Sequence, residues 1–230
     1  MGDAFIKRTP GRGRFITFEG GEGSGKSTQI KRLAETLEVA KVRVVLTREP
    51  GGSAGAEIIR HLVLSGMGKL LGHEAETLLF AAARDDHVRN VILPALNQGA
   101  WVLCDRFFDS TRVYQGKVGH VSPDILNAMQ RVTIGDLKPD LTIILDVSVE
   151  VGLARAAARR EGAAPDRFEQ EDLKFHQELR EAYREIAGAE PERCVLIDAT
   201  ADANAVAASI WAALRDRFFA TPAGSVASPA

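Results

Sequence analysis

The chain alternates short, nearly unbroken apolar runs with longer stretches whose apolar residues recur every three or four positions, the period of a helix with one buried face. Five runs have strand length: Phe15 to Glu19, Arg43 to Thr47, Trp101 to Asp105, Leu141 to Asp146 and Cys194 to Asp198. Near-continuous apolarity over so few residues marks strands covered on both faces, as in a parallel sheet. Helical period predicts Lys26 to Val39, Ala54 to Ser65, roughly Glu74 to Asn97, Asp124 to Thr133, Val149 to Arg160, Phe168 to Ala187 and Ala203 to Phe219. Alternating strands and helices imply an α/β protein in three layers, a five-stranded parallel sheet with helices on both faces. No linker-like stretch divides the strands into two sets, so residues 14–219 are expected to form one domain. Residues 1–13, rich in Gly, Arg and Lys, and residues 220–230, dominated by Ala, Pro, Ser and Gly, are expected to be flexible tails.

Charge and composition narrow the partners. Among 230 residues, 29 Lys and Arg stand against 31 Asp and Glu, so no basic excess calls for nucleic acid. An apolar share of 45% with 26% charged residues supports a sizeable core and argues against a disordered chain. No apolar run approaches the roughly 18 residues of a membrane span, and no signal-peptide core is visible, so a cytoplasmic protein without a membrane partner is expected. Cys104 and Cys194 are too few for a disulfide framework or a zinc site, and buried thiols are expected.

The strongest chemical signal is Gly20-Gly21-Glu22-Gly23-Ser24-Gly25-Lys26-Ser27, followed by Thr28, a full match to G-x-x-x-x-G-K-[ST] between a strand and a helix. Glycines let the backbone aim several N–H groups inward, and the following helix adds its partial positive end, which together cradle phosphate. Lys26 is expected at the β and γ phosphates of a nucleoside triphosphate, and the Ser27 hydroxyl on Mg²⁺. The glycine spacing does not fit the dinucleotide fingerprint G-x-G-x-x-G. No Asn-Lys-x-Asp segment reads guanine, and Leu64-Ser65-Gly66-Met67 only weakly echoes a transporter ATPase signature.

Two arginines sit where strands end. Strand Arg43 to Thr47 runs into Arg48-Glu49-Pro50-Gly51-Gly52, and strand Trp101 to Asp105 runs into Arg106. Ligands of open α/β sheets bind outside the carboxyl ends of the strands, so Arg48, Arg106 and the phosphate loop should face one crevice and hold a second anion. The alternative for each is a structural ion pair with Glu49 or Asp105. Asp105 also ends an apolar strand as a Walker-B aspartate does and is a candidate for Mg²⁺. Arg155, Arg159 and Arg160 lead into Glu161-Gly162-Ala163-Ala164-Pro165-Asp166-Arg167, which reads as a basic lid near 155–167.

In this order the residues resemble the thymidylate kinase family from Phe15 to about Phe219. The matching blocks are Phe18 to Thr28, Thr47-Arg48-Glu49-Pro50-Gly51-Gly52, Phe80-Ala81-Ala82-Ala83-Arg84, Asp105-Arg106-Phe107, Ser110-Thr111-Arg112-Val113-Tyr114-Gln115-Gly116 and Ile197-Asp198-Ala199-Thr200. The resemblance implies a P-loop kinase fold and transfer of the ATP γ-phosphoryl group to dTMP in dTTP biosynthesis, by a homodimer. Another nucleoside monophosphate or deoxynucleoside kinase, or a non-catalytic nucleotide-binding module, is the alternative. The resemblance puts the acceptor phosphate on Arg48 and Arg106, the thymine against Phe80, and Arg84 on the base. Ser110, Thr111 and Gln115 fall in the segment along its edge, Tyr114 near the 2′ position and Glu22 near the 3′-hydroxyl. With no cation between Gly20 and Gly25, the transition-state arginine is expected from the lid, with Arg155, Arg159 and Arg160 as candidates. Phe107 replaces the usual Tyr or His, Phe108-Asp109 is unfamiliar, and the lid is lengthened around Gly162 to Pro165.

Overall fold

The computed structural model describes residues 12–160 and 167–219. The expected tails over 1–11 and 220–230, and the middle of the expected lid at 161–166, lie outside the described residues. Gly13 does not behave as tail: it is buried, and its N–H donates to the Leu96 carbonyl at 2.8 Å.

Five strands form one parallel sheet in the order β2-β3-β1-β4-β5. They are β1 (Phe15–Glu19), β2 (Val44–Arg48), β3 (Trp101–Asp105), β4 (Leu141–Asp146) and β5 (Cys194–Asp198). Four strands fall where the apolar runs predict; β2 lies one residue later and carries Arg48 as its last residue. Alternation along β1 sends Ile16 and Phe18 to one face, where they pack with Leu33 and Leu37 of α1 (Lys26–Val39) and Ile210 and Leu214 of α9 (Ala203–Phe218). Phe15 faces the opposite layer, with Val102, Cys104, Ile92 and Phe107. Glu19, at the end of β1, therefore points into a helix-covered layer and is fully buried.

The remaining helices are α2 (Ala54–Leu64), α3 (Gly72–His87), α4 (Leu93–Asn97), α5 (Phe108–Thr111), α6 (Pro123–Thr133), α7 (Val149–Arg159) and α8 (Leu173–Ala189). The long helix predicted over Glu74 to Asn97 is interrupted by a π-helical turn at Val88–Ile92, directly before Pro94. Proline offers no N–H to the α-helical ladder, and the wider turn absorbs the mismatch. The helix predicted from Phe168 begins instead at Leu173, because Asp172 caps it by accepting the Phe175 N–H at 2.8 Å. Apolar periodicity misses α5 and the π-helical turn Arg112–Val118 that follows. Both cysteines are buried thiols.

Strand order sets the site. The connection from β1 leaves toward β2 on one side, and that from β3 crosses to β4 on the other. A crevice opens between these two neighbouring strands at their carboxyl ends, where the loops part.

Candidate active site

The loop after β1 passes close to the first turns of α7. A side chain at Gly23 would overlap the Gly152 carbonyl, and one at Gly152 would stand 2.5 Å from the Glu22 carbonyl. Gly25, with φ of 93°, sits in the left-handed region that lets the chain turn into α1. Lys26 is the first residue of α1 and is buried; its Nζ donates to the Gly20 and Gly21 carbonyls at 3.0 and 2.8 Å. Burial pulls the Lys26 ammonium down to about 8, with nearby Arg106 adding to the effect. The Ser24 hydroxyl donates to Gly21 O at 2.9 Å, and the Ser27 hydroxyl donates to Asp105 Oδ2 at 2.8 Å. Ser27 and Asp105 thus present two hard oxygen donors side by side. Thr28 donates its backbone N–H to Gly25 O at 3.1 Å, closing the first helical turn.

Arg106 leaves β3 with φ of 69°, a conformation that non-glycine residues seldom take, and it turns the guanidinium into the crevice. Its Nη2 donates to Glu22 Oε1 at 2.6 Å, its Nη1 to Ser110 Oγ at 3.3 Å and to Tyr183 Oη at 3.2 Å, and it lies over the Tyr114 ring at 5.1 Å. Burial would raise the Glu22 carboxyl, but Arg106 and then Lys26 overcome it and hold Glu22 at about 2. Beneath this turn Glu19 accepts the Phe107 N–H at 2.8 Å, the Ser110 hydroxyl at 2.6 Å and the Tyr183 hydroxyl at 3.1 Å. Burial, reinforced by Asp109, pushes the Glu19 carboxyl up to about 7. Glu19 and Tyr183 therefore hold the turn that aims Arg106. Sequence reading passed over both; an acidic residue closing an otherwise apolar strand was the available signal for Glu19.

A cleft of about 360 Å³ opens from the phosphate loop and is bordered by Arg48, Phe80, Arg84, Asp105, Arg106, Ser110, Thr111, Tyr114, Gln115 and Arg159. The structure thus brings together most of the residues expected on the monophosphate side, drawn from four separate stretches of chain. Arg48 is half-exposed and pairs with Glu57 at 3.0 Å rather than with Glu49. Glu49 is instead buried between Arg84, whose Nε donates at 2.7 Å, and His87 at 3.0 Å. Arg84 also donates to the Phe107 carbonyl at 3.2 Å, and Phe80 is buried against the cleft floor. Arg60 joins the cleft and was not foreseen; it follows Glu57 by three residues on α2, the spacing that shares a helix face.

The three expected lid arginines separate. Arg155 donates to the Ala199 and Thr200 carbonyls at 2.7 and 3.1 Å and ties α7 to the turn after β5, away from the cleft. Arg160 pairs with Glu169 at 2.5 Å. Arg159, 63% exposed at its side chain and 3.6 Å from Glu169, is the member of the three that borders the cleft. No group of three or more His, Cys, Asp or Glu residues with metal-holding geometry occurs among the described residues. No helix of the described residues is long and apolar enough to cross a membrane.

Comparison with known proteins agrees with this geometry. A model of the thymidylate kinase family matches residues 18–210. A thymidylate kinase of a Bradyrhizobium species is 76% identical over 98% of this chain and its own full length. That of Nitrobacter winogradskyi is 71% identical over the whole of both chains. The crystal structure of thymidylate kinase from Ehrlichia chaffeensis superposes with a TM-score of 0.72 at 35% identity, covering 89% of this chain and all of that one.

Proposed function

The chain belongs to the thymidylate kinase family, and from that premise we propose how its cleft performs the transfer of the γ-phosphoryl group of ATP to dTMP, giving dTDP and ADP. The single observation that carries the assignment of roles is the convergence of Arg48, Arg106, Lys26 and Arg159 on one cleft floored by an aromatic ring. The acceptor is a phosphate whose second pKa is near 6, so it is already largely ionised at pH 7 and needs no general base. What opposes reaction is the meeting of two polyanions. Fixed cations in a partly dry cleft offset that repulsion and hold the reacting oxygens in line.

In this reading the loop from Gly20 to Thr28 holds the ATP phosphates, with Lys26 bridging toward the transferred group. Arg106 is the main anchor of the dTMP phosphate and Arg48 the outer one. Phe80 stacks on the pyrimidine, Arg84 and Gln115 meet its polar edge beside Thr111, and Tyr114 closes the sugar side. Glu22, charged and held by Arg106, stands where a sugar hydroxyl can donate to it. Ser27 and Asp105 would hold Mg²⁺, which would supply charge neutralisation on the ATP phosphates. Arg159 is the lid cation for the transferring group; Arg155 has a structural role and Arg160 orients the same segment through Glu169. Residues 14–219 act as one kinase domain in the cytoplasm.

Exposed apolar side chains concentrate on α2 and the entry to α3, with Ile58 73%, Leu70 87% and Leu78 52% exposed, which supports a homodimer formed through this region. Sedimentation of Leu78→Glu would show a monomer in that case. The activity is tested by ADP release with ATP and Mg²⁺ across dTMP, dUMP, dCMP, AMP, GMP and thymidine. Highest kcat/KM for dTMP is expected; equal or greater turnover of a purine monophosphate or of thymidine would refute the reading.

A further inference from the structure

We propose that Glu76, which does not border the cleft, fixes the orientation of the Gln115 amide and thereby sets which pyrimidine edge the cleft accepts. The proposal rests on the reading that a pyrimidine monophosphate lies against Phe80. Glu76 is 2% exposed and precedes Phe80 by one turn on α3. Arg167 grips its carboxylate with Nη1 at 2.5 Å and Nη2 at 2.9 Å, while the same Nη1 reaches the Val63 carbonyl at 3.1 Å. Gln115 Nε2 donates to Glu76 Oε1 at 3.4 Å.

An ionised carboxylate only accepts hydrogen bonds, so the amide beside it must present its NH₂ group. Turned around, the amide oxygen would face a buried anion. Glu76, Arg167 and Gln115 border a second cavity of about 350 Å³, and Gln115, with Tyr114 and Phe168, borders both that cavity and the substrate cleft. With its nitrogen directed at Glu76, Gln115 leaves its carbonyl oxygen for the cleft, which Arg84 also borders; Arg84 gives Nε to Glu49 and Nη2 to the Phe107 carbonyl, and Nη1 is its remaining donor. The cleft edge therefore offers a donor beside an acceptor. A thymine or uracil edge presents the complement, a C4 carbonyl beside an N3–H. Cytosine reverses both groups, with an amino group at C4 and a bare N3. Mismatched buried polar groups are what give a site its discrimination. Arg167 places the opposite charge directly on the buried Glu76 carboxylate and so holds the arrangement in place.

Glu76→Gln removes the reason for the amide to choose one orientation. The expected result is a fall of about tenfold in the ratio of kcat/KM for dTMP over dCMP, the effect of one mismatched hydrogen bond. The dTMP to dUMP ratio should stay within about twofold, because those bases share the edge in question. Arg167→Met, which strips the buried carboxylate of its cation, should lower both thermal stability and the dTMP to dCMP ratio. If Glu76→Gln does not fold, Glu76→Asp withdraws the carboxylate by one methylene and is expected to lower the same ratio. Equal losses on all three substrates, or an unchanged dTMP to dCMP ratio in the folded variant, overturn the proposal. Failure of the unaltered protein to phosphorylate dTMP and dUMP would instead remove the pyrimidine reading beneath it.

Discussion

Replacing Arg106 with methionine should separate the chemical role of this arginine from its structural one. The side chain is 16% exposed and its Nη2 lies 2.6 Å from Glu22, itself 15% exposed. Glu22 sits at about 2 against an ordinary 4.5, and at about 1.4 kcal/mol per pH unit that gap corresponds to about 3 kcal/mol of folding stability at pH 7. Because the folded value is the lower one, the contribution is complete above pH 4.5 and disappears as pH falls through 2. Arg106 is the largest of the groups that hold Glu22 down, so Arg106→Met should cost roughly 2–3 kcal/mol at pH 7 and less than half of that near pH 3. Guanidinium denaturation at the two pH values measures it. Adding Glu22→Gln should recover most of the stability while turnover of dTMP stays down by at least about a thousandfold, since the anchor for the acceptor phosphate is gone. A loss under about 1 kcal/mol at pH 7, or no recovery in the double variant, would refute the claim that Arg106 and Glu22 form a mutually supporting pair.

Glu19 titrates in the opposite sense: its folded value near 7 exceeds the ordinary 4.5, so the stability it contributes is present below pH 4.5 and lost as pH rises through 7. Glu19→Gln should match the unaltered protein in denaturation at pH 4.5 and exceed it at pH 8; the reverse order would contradict the burial argument. Arg155→Ala should lower stability by about 1 kcal/mol through the lost carbonyl contacts and leave kcat within about threefold, whereas Arg159→Ala should cut kcat by about a hundredfold or more, as steady-state kinetics on both variants will show. Burial places the Lys26 ammonium near 8, so kcat/KM for ATP should fall with loss of one proton above about pH 8 in the free enzyme; a flat profile to pH 10 counts against it.

How far the molecule was legible in its sequence follows from which features are local. The three central strands announce themselves because both faces are covered, whereas the edge strands β2 and β5 keep the apolar run but leave Leu46 and Leu196 partly exposed; the phosphate loop is plain because strand, glycines and lysine are consecutive. Arg48 and Arg106 were also readable, since a sheet edge gathers whatever ends its strands. The lid arginines were not: four-residue spacing puts Arg155 and Arg159 on one helix face but says nothing of what that face meets. The turn after β5 takes Arg155, and the cleft takes Arg159. Partners of the buried carboxylates were hidden for the same reason, because Glu19 meets Tyr183 across 164 residues and Glu76 meets Arg167 across 91. Tyr183 looks like any core position on the apolar stripe of α8. The π-helical turn at Arg112–Val118, which places Tyr114 and Gln115 on the cleft, has no apolar period to betray it.

The central claim is that one crevice holds two nucleotides phosphate to phosphate against fixed cations. A crystal structure with dTMP and a non-hydrolysable ATP analogue tests it most directly. The account predicts the dTMP phosphate bonded to Arg106 and Arg48, with the terminal phosphate of the analogue facing it over Lys26. A dTMP phosphate lodged elsewhere, with both arginines still paired to Glu22 and Glu57, would contradict it.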